Sequence, residues 1–266
     1  MCEILDYLTV CEKAVRAAGA VVQDWVGRIS VRRKGPADLV TEADMASQET
    51  IRRILLESFP THRLLGEEGP AESDPGDATQ FRWITDPLDG TTNFVHGVPH
   101  YAVSLALEHK GRLLVGAIYD PTRDECFAAA SGQGSHLNGQ PLHTSQIAQL
   151  SEALAASGFP AKVTRGCPEA RVFDEALYCC QAVRRTGSAS LNMAYLAAGR
   201  FDATWAFSTK IWDIAAGGLL VREAGGVIAA PDGGPFRHQH PQYIAAANPE
   251  LYPQLRQMVA RALRDS

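Results

Sequence analysis

The stretch W-I-T-D-P-L-D-G-T-T-N-F occupies residues 83–94 and governs the reading of the whole chain. Trp83 and Ile84 close an apolar run that ends on two carboxylates, Asp86 and Asp89, with Pro87 between them. A turn of small residues, Gly90-Thr91-Thr92, follows at once. Carboxylates this close repel one another unless a cation sits between them, and hard divalent cations prefer such oxygens. The turn adds backbone N–H groups and hydroxyls suited to an anion. The stretch therefore predicts a strand end carrying a metal beside a phosphate.

Working outward, the 266 residues suffice for one large domain or two modest ones. Apolar residues make up 45% and charged residues 21%, the balance of a soluble globular protein. A net charge of −5 argues against nonspecific nucleic-acid binding as the main task. The six cysteines form no C-x-x-C and pair with no histidine at zinc spacing, so neither a disulfide framework nor a zinc site is expected. No basic, then apolar, leader opens the chain, and no apolar stretch is long enough to span a bilayer. A reducing cytoplasmic setting is expected.

Ile4, Leu8, Cys11, Val15, Ala18, Val22 and Trp25 recur at steps of four and three, which predicts an amphipathic helix. Val31 to Asp38 is rich in Arg and Lys around Gly35-Pro36 and reads as a basic, flexible loop. Thr41-Glu42-Ala43-Asp44 fits a capping box, opening a helix through about Ser58. Arg63 to Leu65 reads as a strand leading into Gly66-Glu67-Glu68-Gly69, and Pro70 to Thr79 as a surface loop. Three β-like runs, Ala102–Glu108, Leu113–Tyr119 and Glu125–Ala130, have a meander signature. Beyond them strands at Leu154–Ser157 and Ala182–Arg184 alternate with helices at Ser190–Ala198, Trp212–Glu223 and Pro249–Leu263.

Four further acids stand in unusual places. Glu67 and Glu68 lie between glycines at a strand end, and Asp213 begins a helix whose continuation, Ile214 to Val221, is apolar. Each has an ordinary reading: a solvated turn for the Glu pair, an N-terminal cap for Asp213 and for Asp44. Together they describe acids at several strand and helix ends, which can converge. Two metals clamped by shared carboxylates suit phosphoryl transfer to water. G-x-S-x-G, the P-loop and G-x-G-x-x-G are all absent.

G-E-E at 66–68, D-P-L-D-G-T-T-N-F at 86–94 and W-D-I-A-A-G-G-L-L-V-R-E-A-G-G at 212–226 together resemble the inositol monophosphatase family, magnesium-dependent and lithium-sensitive phosphatases. R-R-T-G-S-A-S-L-N-M at 184–193 is similar to its bacterial branch. The resemblance implies an α/β (α+β) fold, a layered αβαβα sandwich of the inositol monophosphatase and fructose-1,6-bisphosphatase type. The organisation along the chain reads as a single catalytic unit with halves at about 1–145 and 146–266, and the resemblance implies a homodimer. Glu67, Asp86 and the Leu88 carbonyl would hold a first Mg2+; Asp86, Asp89 and Asp213 a second; Glu67 would help a third. Thr91, with Asp44 behind it, would ready the attacking water, and the N–H groups of Gly90 and Thr91 would receive phosphate. Asp89, Asp213 and Ala189 would line the substrate pocket, Glu68 would support the metal ligands from behind, and Lys34 matches a lysine of a mobile loop.

Where inositol-selective members place a sugar-contacting glutamate, this chain has Ala206, and Lys210 brings a cation nearby. The expectation is thus a Mg2+-dependent hydrolase of small phosphate monoesters, inositol-1-phosphate or a related polyol phosphate foremost. Lys210 would alternatively suit a bisphosphate or nucleotide. Histidinol-phosphate phosphatases often carry Lys where Thr92 stands, which weighs against that activity. Some bacterial relatives also act as binding partners in transcription complexes, a non-catalytic alternative. His96, His100 and His238-x-His240 receive no direct role; Arg184 and Arg185 could bind substrate, but in a homo-oligomer they read rather as interface or salt-bridge residues.

Overall fold

The computed structural model describes residues 2–28, 31–35, 38–68 and 80–264. The expected Pro70–Thr79 loop and the side chain of Lys34 lie outside the described part. Helix α1 (Cys2–Asp24) forms where the four-and-three spacing predicts it, and Cys11, Ala14, Val15, Ala18 and Val22 are fully buried along one stripe. The 31–35 part of the expected loop is strand. It forms β1 (Val31–Gly35), antiparallel to β2 (Asp38–Thr41). Charge and the Gly35-Pro36 step favour a loop, yet Val31, Val40 and Thr41 are β-branched, and such residues prevail once two short runs can pair. Helix α2 (Glu42–Ser58) starts at the predicted capping box, with Thr41 as N-cap.

Strands β3 (Arg63–Gly66) and β4 (Phe81–Asp89) come next, then the short helix α3 (Thr91–Val95). The meander follows as β5 (Ala102–His109), β6 (Arg112–Asp120), β7 (Glu125–Ala130), β8 (Gly134–Leu137) and β9 (Gln140–Leu142). These seven strands make one sheet in sequential order, antiparallel throughout except for the parallel β3–β4 pair. The remaining elements are β10 (Leu154–Ser157), α4 (Pro168–Cys179), β11 (Ala182–Arg184), α5 (Ala189–Ala197), β12 (Ala203–Ala206), α6 (Ile211–Glu223), β13 (Val227–Ala229), β14 (Tyr243–Ala246) and α7 (Tyr252–Arg264). They supply a second sheet in the order β11-β10-β12-β14-β13, in which β10 runs parallel to both neighbours.

Three apolar layers bind the elements into an αβαβα sandwich, as expected. α1 and α2 bury Val15, Ile51 and Leu55 against Trp83, Leu105 and Leu107 of the large sheet. α5 and α6 fill the space between the sheets, with Leu191, Leu219 and Leu220 meeting Ile118, Phe127 and Tyr243. α4 and α7 cover the outer face of the small sheet through Val172, Leu255 and Met258. α6 lies so close to β6 that a Cβ on Gly116 would stand 2.9 Å from the Ala216 backbone. The consequence of this layering is positional: β3, β4, β10, β11 and β12 all end toward one cleft, the usual place for a ligand in sheets with parallel strands.

Candidate active site

Strand geometry alone would put Asp86 and Asp89 on opposite faces, since side chains alternate with a period of two. β4 avoids this with a bulge. Asp86 pairs with Ser104 and Asp89 with Ala102, so three steps on β4 face two on β5. Both carboxylates therefore turn to one side. The Leu88 N–H donates to Asp86 Oδ1 at 3.0 Å, tightening the kink that Pro87 begins. Gly90 then takes φ 95°, a left-handed conformation, and a Cβ there would stand 3.1 Å from the His100 carbonyl.

β3 runs parallel to β4, and the Glu67 N–H donates to the Thr85 carbonyl at 3.2 Å, which sets Glu67 beside Asp86. Asp213, third residue of α6, accepts the Lys210 N–H at 2.7 Å; Lys210 is the N-cap residue, and Asp213 closes onto it from the third position. It also faces the other acids. Burial, then the charges of Glu67, Asp89 and Asp213, push the Asp86 carboxyl well above its ordinary range. Burial and the Asp89 charge push Asp213 up to about 8, with Glu67 adding to the rise and the Lys210 N–H opposing it. Four acids from β3, β4 and α6 thus converge, as the sequence suggested.

Asp89 is held by the start of α5, where the sequence pointed to Ala189 as a pocket residue but not to Ser188 or Ser190 as partners of Asp89. Ser188 Oγ donates to its Oδ2 at 2.6 Å, the Ser190 N–H at 2.7 Å and Ser190 Oγ at 2.5 Å, while the Ala189 N–H reaches Oδ1 at 3.3 Å. The carboxylate sits at the start of α5, where free N–H groups and the helix dipole favour negative charge. Asn93 ties this corner to the motif, its Nδ2 donating to the carbonyls of His100 at 2.7 Å and Thr186 at 2.9 Å.

Asp44 caps its helix and also stands beside Thr91. Its Oδ2 accepts the Thr41 N–H at 2.8 Å and Thr41 Oγ1 at 2.6 Å, completing the capping box. Its Oδ1 stands 3.3 Å from Thr91 Oγ1, and that hydroxyl is also 3.0 Å from the Leu88 carbonyl. Burial, opposed by the Thr41 hydrogen bonds, raises Asp44 to about 6. One turn on, Ser47 Oγ donates to the Pro87 carbonyl at 2.7 Å. Gln48 accepts the Glu68 N–H at 3.0 Å and donates back to the Glu68 carbonyl. Glu68 is buried behind the cleft.

The acids form the floor of a cleft of about 880 Å3. Glu67, Asp86, Leu88, Asp89, Gly90, Thr91, Ala189 and Asp213 all line it; Lys210 is exposed and does not. His96 lines the cleft, whereas His100 packs edge-on to Tyr195. His238 is buried in its loop against Glu108. Arg184 is exposed; Arg185 lies over the Phe159 ring at the cleft wall. Ala206 is buried beneath Gly158.

The donor set fits a hard divalent cation: buried carboxylate oxygens that raise one another's proton affinity, opening onto solvent. Among the described residues no three such side chains are already drawn in around one ion-sized point.

The profile described as the inositol monophosphatase family matches residues 5–265. The Nus factor SuhB of Pseudomonas aeruginosa is 43% identical over 228 residues, 84% of each chain. The inositol-1-monophosphatase of Rhizobium meliloti is 39% identical over 261 residues, covering 96% of this chain and 97% of that one. The crystal structure of the extragenic suppressor protein suhB from Bartonella henselae superposes with a TM-score of 0.89 at 36% identity, covering 96% of this chain and 98% of its own. With its fold, its motifs and its sequence in agreement, the chain belongs to the inositol monophosphatase family.

Proposed function

We propose that this protein is a Mg2+-dependent hydrolase of small phosphate monoesters, with inositol-1-phosphate or a related polyol phosphate among its substrates. The observation that carries the reading is the convergence of Glu67, Asp86, Asp89 and Asp213 beside the Thr91–Asp44 pair. Glu67, Asp86, Asp89, Asp213 and the Leu88 carbonyl would hold two or three Mg2+ ions. Bound Mg2+ would supply Lewis-acid activation of a water and charge neutralisation at the ester phosphate.

The chain's own residues do the rest. Ionised Asp44 accepts the Thr91 hydroxyl proton, leaving the Thr91 oxygen to accept a hydrogen bond from the attacking water and hold it in line. The N–H groups of Gly90 and Thr91, at the turn left by the bulge, receive the phosphate oxygens. Gln48 fixes the turn that carries Glu67 and Glu68. The catalytic unit is then the whole chain, one half supplying the motif and the other Asp213 and the α5 start that holds Asp89. Lithium inhibition and a homodimer accompany this reading.

A second reading, a partner role in a transcription complex, rests on the name Nus factor carried by the Pseudomonas relative. It is compatible with catalysis, because every proposed ligand is intact. A panel of inositol-1-phosphate, glycerol 2-phosphate, histidinol phosphate and 3′-phosphoadenosine 5′-phosphate with Mg2+ tests the enzymatic reading. Phosphate release that stops on chelation supports it. A panel with no turnover at all contradicts it.

A further inference from the structure

We propose that the cleft wall carries a second anion subsite built on Arg185, so that the preferred substrates bear a carboxylate or another phosphate beyond the scissile ester. The proposal rests on the phosphatase reading above and names its substrate class. β10 and β11 run parallel and end side by side, and the residues leaving them, Gly158-Phe159 and Arg185-Thr186, form one wall of the cleft. The Arg185 guanidinium lies 4.8 Å from the Phe159 ring centroid, and Phe173 braces that ring edge-on at 5.6 Å. A guanidinium stacked this way keeps its N–H edges free, in the fork that matches a carboxylate or phosphate.

The charge pattern points the same way. The four cleft acids lie on the floor, around the proposed metals. Among the described residues lining the cleft, Arg185 is the sole Lys or Arg, and it has no carboxylate partner among the described residues. Ala206, buried beneath Gly158, offers this wall no carboxylate to accept polyol hydroxyls. Glu169, behind the wall, is buried and takes the Ser208 hydroxyl. Lys210 does not line this wall, so the second anion expected near it belongs at Arg185 instead.

The experiment compares kcat/KM for glycerol 2-phosphate, 2-phosphoglycerate and fructose 1,6-bisphosphate, with Mg2+, in the wild type, Arg185→Ala and Arg185→Lys. Light scattering after size exclusion reports the assembly of each. The wild type should prefer one or both anion-bearing esters, and the two arms show whether carboxylate or phosphate is read. Arg185→Ala should cost those esters about 10- to 100-fold, with a far smaller fall for glycerol 2-phosphate, and Arg185→Lys should recover part of the loss. An equal fall on all three esters, or a change of assembly that accounts for the loss, overturns the subsite in favour of an interface role. Turnover of glycerol 2-phosphate without any preference overturns the subsite alone. No turnover of any ester by the wild type overturns the phosphatase reading and the subsite with it.

Discussion

Gln48 grips Glu68 at both backbone atoms, accepting its N–H at 3.0 Å and donating to its carbonyl. The amide reaches from α2 to the turn after β3, so the position of Glu67 depends on a helix that carries no proposed ligand. Gln48→Ala should fold and yet bind divalent cations about 10- to 100-fold more weakly, the usual effect of losing a ligand's support. Mn2+ titration followed by calorimetry or electron paramagnetic resonance measures this directly. Unchanged affinity would mean that the turn holds itself.

Gly90 should tolerate no side chain. Its φ of 95° and the 3.1 Å approach to the His100 carbonyl act together. Gly90→Ala should cost about 1–3 kcal/mol of stability, read as a lower denaturant midpoint, and should reduce phosphate release by disturbing the Gly90 and Thr91 N–H groups.

Asp44 gives a pH signature whose sign is fixed. Its folded value, about 6, lies above the ordinary 3.8, so folding favours the protonated form. Its contribution to stability is complete below pH 4 and is lost as pH rises to about 6, a change of about 3 kcal/mol. In metal-free protein Asp44→Asn should remove that fall from the stability profile measured across pH 4–6.5. The same substitution should remove the rise in activity through pH 6 expected of an ionised base.

Metal stabilisation should itself depend on pH. Asp86 is held well above its ordinary range and Asp213 at about 8, so both must shed protons before they can bind a cation. The rise in Tm produced by saturating Mg2+ should be larger at pH 8.5 than at pH 5.5. A shift that shrinks as pH rises would contradict the four-acid arrangement.

The cage around Asp89 makes Ser188 a residue with two duties. It caps α5 by accepting the Leu191 N–H at 3.2 Å, and it donates to Asp89 at 2.6 Å. Ser188→Ala should lose about 1–2 kcal/mol and raise the Mg2+ concentration needed for half-maximal activity. Loss of stability with an unaltered Mg2+ requirement would limit Ser188 to capping.

Much of this was legible in the residues themselves. The α1 stripe, the capping box at Thr41, the meander and the acids at strand ends all depend on local spacing, and they fold as read. The residues that aim those acids were harder to see. Ser188 and Ser190 look like an ordinary helix start, because their partner Asp89 lies about a hundred positions away. The polar pair Ser47 and Gln48 did leave a signal: with Asp44 and Ile51 they continue the i, i+3, i+4 stripe that faces the core. Polar residues on such a stripe mark a site, since burial demands partners. α4 was missed although Val172, Ala176 and Cys180 recur at four, and β8, β9, β13 and β14 are too short for an alternation to register. The bulge between Asp86 and Asp89 was invisible because it depends on the register of β5.

The central claim is that the four acids hold the cation that drives hydrolysis, and Asp89 is the ligand shared between the motif and the α5 cage. The decisive measurement is phosphate release from inositol-1-phosphate by Asp89→Asn at saturating Mg2+, beside the wild type. The account predicts that the folded variant loses at least about 100-fold in turnover. Turnover equal to the wild type would contradict it.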